Sequence, residues 1–227
     1  MQPGKKVSAL LLSFFVAPAF AGVDKVYSPT VEYGELEIEA RGIYDLEDDF
    51  YKTKLGVGYG FTDFMFLEAY LVGEKEDGEF EVEEAELEAK FQLSEQGEYW
   101  ADFGLLVELE GSLEHDKYEL KAGPIVQKQF GEWVATTNIL LEKQFGDDKT
   151  EDEVEALGSF QLKYRMNEAL EPAIEYYADE HTNAIGPVLL GFNRFSNSKM
   201  KWEFGVLFGL DDETPDATLR WLVEMEF

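Results

Sequence analysis

Apolar and polar residues alternate along most of this chain. At its end, Leu219, Trp221, Val223, Met225 and Phe227 fall on one parity, and Thr218, Arg220, Leu222, Glu224 and Glu226 on the other. A period of two is the signature of a β-strand with two different faces. The same pattern recurs at about 35–44, 51–60, 64–73, 80–93, 99–110, 117–129, 133–145, 154–166, 170–178, 184–193, 200–210 and 217–227, which predicts twelve strands. Ten is the alternative if 170–193 is less regular. The fourth stretch is contested. Its Glu, Ala and Leu content favours helix, yet Ala85, Leu87, Ala89, Phe91 and Leu93 alternate strictly with Glu84, Glu86, Glu88, Lys90 and Gln92. Period outranks propensity here. Phe80 and Val82 sit on the other parity, so a bulge or a late start is expected near Glu83. Pro172 and Pro187 cannot donate to a ladder, and each is expected to mark a strand start or a bulge.

The last stretch ends on an aromatic residue with no polar tail. Chain ends of soluble domains tend to fray into water. A closing barrel strand instead pairs with the first strand and shows one face to lipid. The predicted fold class is therefore all-β, a single antiparallel transmembrane β-barrel of about twelve strands. Trp221, Val223, Met225 and Phe227 resemble the C-terminal signature of bacterial outer-membrane barrels, which implies recognition by the outer-membrane assembly machinery. An even strand number suits a single-chain barrel of that kind. At the other end, Lys5 and Lys6, an apolar run over 7–16 and Ala19-Phe20-Ala21 read as a signal peptide spanning 1–21. The run is too short to span a bilayer. The barrel then occupies 22–227, and the expected location is the cell outer membrane of a Gram-negative bacterium.

One face of every stretch is almost free of charge and the other is rich in acid. Tyr44, Tyr59, Trp133, Tyr164, Trp202, Trp221 and Phe227 are read as lying near strand ends, where interfacial girdles sit. The apolar face, including Ala101, Phe103 and Leu105, is assigned to outer-membrane lipid. The acids assigned to the lumen are Glu35, Glu37, Glu39, Glu68, Glu84, Glu86, Glu88, Asp102, Glu108, Glu110, Glu119, Glu142, Glu155, Glu175, Glu203 and Glu224. Lys52, Lys54, Arg165 and Arg220 are among the fewer basic residues assigned with them. The first two strands are neighbours, so Lys52 and Lys54 are expected to face the Glu35–Glu37–Glu39 row. Inner glycines at 56, 58, 104, 123, 158 and 205 are expected to leave room for water. The acidic connections 45–49, 74–79, 147–153 and 211–216 are placed outside the cell, none of them long enough to plug the barrel.

Composition narrows the function. The chain carries Lys+Arg 19 against Asp+Glu 48, a formal charge of −29. That excludes a nucleic-acid partner, which needs a basic surface. Disorder is the usual outcome of such charge, but 15% aromatic and 45% hydrophobic residues argue against it. With no Cys, neither disulfides nor thiolate sites arise. The two histidines, His115 and His181, head the triplets His115-Asp116-Lys117 and His181-Thr182-Asn183. Neither matches the His-x-Ser motif of outer-membrane phospholipases, so no enzyme is expected. No cofactor is expected either. Rim carboxylates could hold Ca²⁺ or Mg²⁺, but no loop has EF-hand spacing, and 147–152 lacks the turn glycine.

Three segments carry a resemblance. Phe208 to Arg220 running into Phe227, Glu171-Pro172-Ala173-Ile174-Glu175-Tyr176, and Ile185-Gly186-Pro187-Val188 resemble a group of uncharacterised proteobacterial outer-membrane proteins. These are described as porin-like or transporter-like barrels, beside phenol-degradation-pathway and copper-resistance outer-membrane families. The resemblance covers the last third of the chain and carries no functional residues. Copper chemistry is not indicated, with five Met and two His. The expectation is a narrow, acidic-lined, cation-preferring passive pore. Its alternative is a non-conducting barrel that anchors a periplasmic or surface partner.

Overall fold

The computed structural model describes residues 22–47, 50–76 and 79–227. The proposed signal peptide and the tips of the 45–49 and 74–79 connections lie outside the described residues. Twelve antiparallel strands form one closed barrel. They are β1 Leu36–Asp45, β2 Tyr51–Thr62, β3 Met65–Glu76, β4 Glu79–Gln92, β5 Asp102–Ser112 and β6 Tyr118–Phe130. The second half is β7 Trp133–Phe145, β8 Val154–Tyr164, β9 Glu171–Ala178, β10 Asn183–Arg194, β11 Lys199–Gly209 and β12 Ala217–Glu226. Each strand pairs with its sequence neighbours, and β1 pairs with β12. Reciprocal bonds between the backbones of Leu36 and Phe227, 2.9 and 3.2 Å long, finish the seam. We call the end where β1 starts and β12 stops the near rim, and the opposite end the far rim.

The alternation seen in the sequence becomes a radial division. Leu55, Val57, Leu71, Leu87, Ile139, Leu141, Ile174 and Phe204 are exposed large apolar residues on the outer face. Such a continuous belt has a favourable solvent only in lipid. Among the described residues no helix is long and apolar enough to cross a membrane. Aromatic pairs border the belt at both rims. Trp133–Tyr164 (5.0 Å) and Tyr59–Phe61 (5.1 Å) sit at the near rim, with Tyr118–Phe145 (5.3 Å) and Tyr51–Phe80 (6.4 Å) at the far rim. Trp221 departs from the expectation of a strand-end girdle. It lies in the middle of β12, with Gly42 of β1 directly opposite. Ala101 also departs, being buried just before β5 rather than turned to lipid.

β4 is a strand throughout, with one extra residue. Val72 of β3 pairs with Glu84 and Gly73 with Val82, so Glu83 is the residue inserted. The bulge returns Phe80 and Val82 to the outer face, where both are exposed. Pro172 is the second residue of β9, at a strand start. Pro187 is neither a start nor a bulge. The β10–β11 register is the same on both sides of it, and the ladder simply omits Gly186 and Pro187. β6 shows the same device at Gly123–Pro124. In each case a Cβ on the glycine would collide with a carbonyl of the adjoining strand, Ile139 for Gly123 and Val206 for Gly186. A strand that gives up two ladder positions is thereby kept in close contact with its neighbour.

Candidate functional site: a lumen filled by the segment before β1

Most of the inner face is charged, and an apolar cluster occupies part of β9–β11. Glu37, Glu39, Glu68, Glu86, Glu88, Asp102, Glu108, Glu110, Glu142, Glu175, Glu203, Glu224, Lys54 and Arg220 are buried within the barrel. Glu35, Glu84, Glu119, Glu155, Lys52 and Arg165 are half-buried, all but Glu84 within one residue of a strand end near one rim or the other. Across β9–β11 the inward residues Ala173, Tyr177, Ala184, Val188, Leu190 and Leu207 form a compact apolar cluster, with the buried Glu175 and Glu203 on the same strands. A smaller one joins Leu106 and Ile125.

What occupies the space between them is the chain's own segment 22–31. It has no helix or strand of its own. Val23 and Val26 pack on the β9–β11 cluster, and Tyr27 packs between Leu106 and Ile125. Asp24 and Lys25 turn to the charged side. Asp24 meets Arg41 at 2.6 Å and Lys54 at 3.2 Å, and Lys25 meets Glu39 at 2.9 Å. The backbone is gripped as well. Asn138 accepts from the Tyr27 amide (2.8 Å) and donates to its carbonyl (2.9 Å), as a neighbouring strand would. Gln92 accepts from the Val31 amide at 2.8 Å. Arg220 and Tyr177 both donate to the Asp24 carbonyl, at 2.5 and 3.2 Å. At the near rim Gly34 has φ of 81°, a left-handed value that glycine adopts without steric penalty. This turn leads the segment into β1. At the far rim Gly22 lies against Asp179 and Thr182. The segment therefore runs the length of the lumen.

Any plug is expected in the far-rim connections, and this segment lies outside the predicted strands. Asp24, Lys25, Tyr27, Tyr70, Gln92, Asn138 and Tyr177 were not proposed as site residues. Two related expectations are corrected. Lys52 and Lys54 do not face the Glu35–Glu37–Glu39 row. The β1–β2 register puts Gly58 opposite Glu37, Gly56 opposite Glu39 and Lys54 opposite Arg41. Lys54 instead reaches Glu86 at 2.5 Å, and Lys52 reaches Glu74 at 2.6 Å. Nor do all the inner glycines leave room for water. The ring of Tyr70 covers Gly56, Phe66 covers Gly58, and Pro29 of the segment covers Gly104.

A cavity of about 50 Å³ remains beside the segment, lined by Asp24, Tyr27, Glu108, Lys121, Asn138 and Ser159 among others. Charged residues continue around it: Lys121 pairs with Glu108 (3.0 Å), and Arg220 pairs with Glu203 (2.5 Å) and Glu175 (3.3 Å). Glu35 stands at the near rim, outside β1. Burial, with Glu226 and Glu32 as like-charged neighbours, pushes its carboxyl up to about 7. It thus carries only part of a charge at neutral pH. His115 and His181 are exposed in the β5–β6 and β9–β10 connections. In the loop after β7, Lys149 pairs with Asp152 at 2.6 Å and holds that carboxyl below its usual range.

No protein-family model matches the chain, and no curated protein matches it in sequence. Solved structures do match in shape. The COG4313 outer membrane channel from Pseudomonas putida F1 aligns with a TM-score of 0.58 at 13% identity, over 90% of this chain and 100% of that one. The KdgM porin aligns with a TM-score of 0.56 at 12% identity, over 84% of this chain and 98% of that one. KdgM in complex with disordered oligogalacturonate gives 0.56 at 10%, over the same shares of the two chains. At such identities the likeness is one of fold: a porin-like β-barrel.

Proposed function

We propose that the protein is a passive channel of the cell outer membrane that prefers small cations to anions. The observation that carries this reading is the imbalance of charge inside the wall. Glu68, Glu86, Glu88, Glu108 and Glu110 lie together on β3–β5, all buried, with Lys54 and Lys121 as their closest bound counter-ions. A charged lining between low-dielectric walls concentrates ions of opposite sign, and acidic rings are how cation channels select by charge. An oligogalacturonate, the polyanion bound by KdgM, would meet repulsion here. The segment 22–31 occupies much of the lumen, which suits ions and small solutes rather than oligomers. Outer-membrane lipid against the apolar belt, assembly through β12, export by way of 1–21, and the absence of catalysis and of a resident cofactor all belong to this same proposal.

The test is a reversal potential in planar bilayers across a KCl gradient. A cation-signed potential is expected at low salt. It weakens as the Debye length falls from about 30 Å at 0.01 M to about 3 Å at 1 M. It also weakens as pH falls toward about 4, where free Glu side chains lose their charge. A zero or anion-signed potential at low salt and neutral pH overturns the selectivity. The filled lumen favours one other reading, a non-conducting barrel that anchors a partner. The two separate on deletion of residues 22–31. A channel narrowed by the segment conducts severalfold more without it, whereas an anchor shows no current in either form.

A further inference from the structure

Glu68, Glu88 and Glu108 lie directly opposite one another across β3, β4 and β5. Like charges in that position repel. Glu86 projects from β4 on the same side as Glu88. One carboxylate oxygen from each of Glu86, Glu88 and Glu108 lies within 4.8 Å of the other two. The three residues are only 1%, 3% and 3% exposed.

The groups that face this cluster do not neutralise it. From β2, Lys54 binds Glu86 at 2.5 Å, and from β6, Lys121 binds Glu108 at 3.0 Å. Arg41 of β1 reaches Glu86 Oε1 only at 3.7 Å and is engaged by Glu39 and Asp24. Lys25 of the segment is engaged by Glu39 at 2.9 Å and reaches Glu68, outside the triad, at 3.9 Å. Lys90, next on the inner face of β4, lies over the Phe66 ring. Among the described residues, no hydrogen-bond donor reaches Glu86 Oε1 or Glu88 Oε2, although both atoms are buried. Uncompensated buried charge is costly, so these oxygens call for a ligand. The other acidic triad, Glu37, Glu39 and Glu224, already has Lys25, Arg41 and Lys201 as counter-ions.

We propose that Glu86, Glu88 and Glu108 form a lumenal binding site for Ca²⁺. Oxygens that all lie within 4.8 Å of one another can share one ion with bonds of about 2.4 Å, since ligands on opposite sides of it would be about 4.8 Å apart. Carboxylates bind Ca²⁺ through one oxygen or two, and water completes a flexible shell. The cavity beside the segment reaches Glu108 and has room for a water ligand. Mg²⁺ fits less well. It demands near-octahedral bonds of about 2.0–2.1 Å and gives up water reluctantly, while Lys54 and Lys121 hold two of the three carboxylates in place. The site stands on geometry whether or not the barrel conducts, and its test reads binding rather than current.

The folded full barrel in detergent, stripped with chelator, is titrated with CaCl₂ by calorimetry at neutral pH. One saturable equivalent of Ca²⁺ is expected. It persists when exposed rim acids are neutralised, as in Asp212→Asn with Glu213→Gln. It disappears in Glu88→Gln and in Glu108→Gln, with heat-dependent gel mobility confirming that both variants fold. A second measurement needs no variant: CaCl₂ raises the temperature of the mobility change above that in KCl of equal ionic strength. A saturable equivalent that survives both lumen substitutions overturns the site. So does a folded wild-type barrel that takes up no saturable Ca²⁺ and gains no heat resistance from it.

Discussion

The two sides of the lumen wall hold the same segment by different physics. On the charged side, Arg41 and Lys54 take the Asp24 carboxylate, and Glu39 takes the Lys25 ammonium. On the apolar side, Val188, Leu190 and Leu207 pack against Val23 and Val26 with no polar contact between them. The first side is selective about geometry and costly to disturb, because removing one partner strands another charge in a poorly solvated place. The second is forgiving of geometry and proportional to area. A two-faced segment fits only one way round between two such walls, which is how an irregular stretch acquires a defined position.

The largest expected effect comes from Arg220. It is 2% exposed, neutralises Glu203 and Glu175, and grips the Asp24 carbonyl. Arg220→Ala leaves two buried acids without their partner, and a loss of about 3–5 kcal/mol is expected. The midpoint of urea unfolding followed by gel mobility measures it. A change under about 1 kcal/mol would mean that water reaches these acids freely, and that the charged wall is not the stiff one.

A smaller effect tests the apolar side. Val26→Ala and Leu207→Ala should each destabilise, and the double variant should fall short of the sum by about 0.5–3 kcal/mol, as for residues in one packed cluster. Strict additivity would place Val26 out of contact with that wall. The smallest effect is expected where neither wall takes part. Arg194 and Glu168 pair at 3.4 Å on the near rim, 65% and 66% exposed. Glu168→Gln should shift the midpoint by no more than about 1 kcal/mol. A larger shift there would show that rim charges act collectively, and it would weaken the contrast drawn between the walls.

Much of the barrel was legible because its code is local. Alternation fixes strand and face together, and it placed the β4 irregularity at Glu83 from the parity of Phe80 and Val82 alone. The ion-pair partners were not legible, since they depend on register. A displacement of two residues decides whether Lys54 lies opposite Glu39 or Arg41. Pro187 was misjudged because an omitted pair of ladder bonds leaves no trace in the apolar pattern. The lumen segment escaped for another reason. Its contacts with Asn138 and Arg220 cross 111 and 196 residues, and no window of sequence contains both partners. One trace of it was present. Leu105-Leu106-Val107 and Val188-Leu189-Leu190 break the alternation and send Leu106, Val188 and Leu190 inward. Apolar residues on the inside of an aqueous barrel need something to cover them.

Arg220 belongs to β12, the strand that completes the cylinder against β1. The contact between Arg220 and Asp24 therefore joins the piece of chain inside the barrel to the staple that shuts it. Bringing together residues 196 positions apart is the slow, entropically expensive kind of contact in a folding chain. Once the cylinder is shut, only the open rims remain for the segment to enter or leave. The order of events during biogenesis is thus constrained by topology. Either the segment lies across the growing sheet before the two edge strands meet, or it must afterwards thread lengthwise past Gln92, Asn138 and Arg220 in turn. The first route makes the segment a template around which the sheet curls.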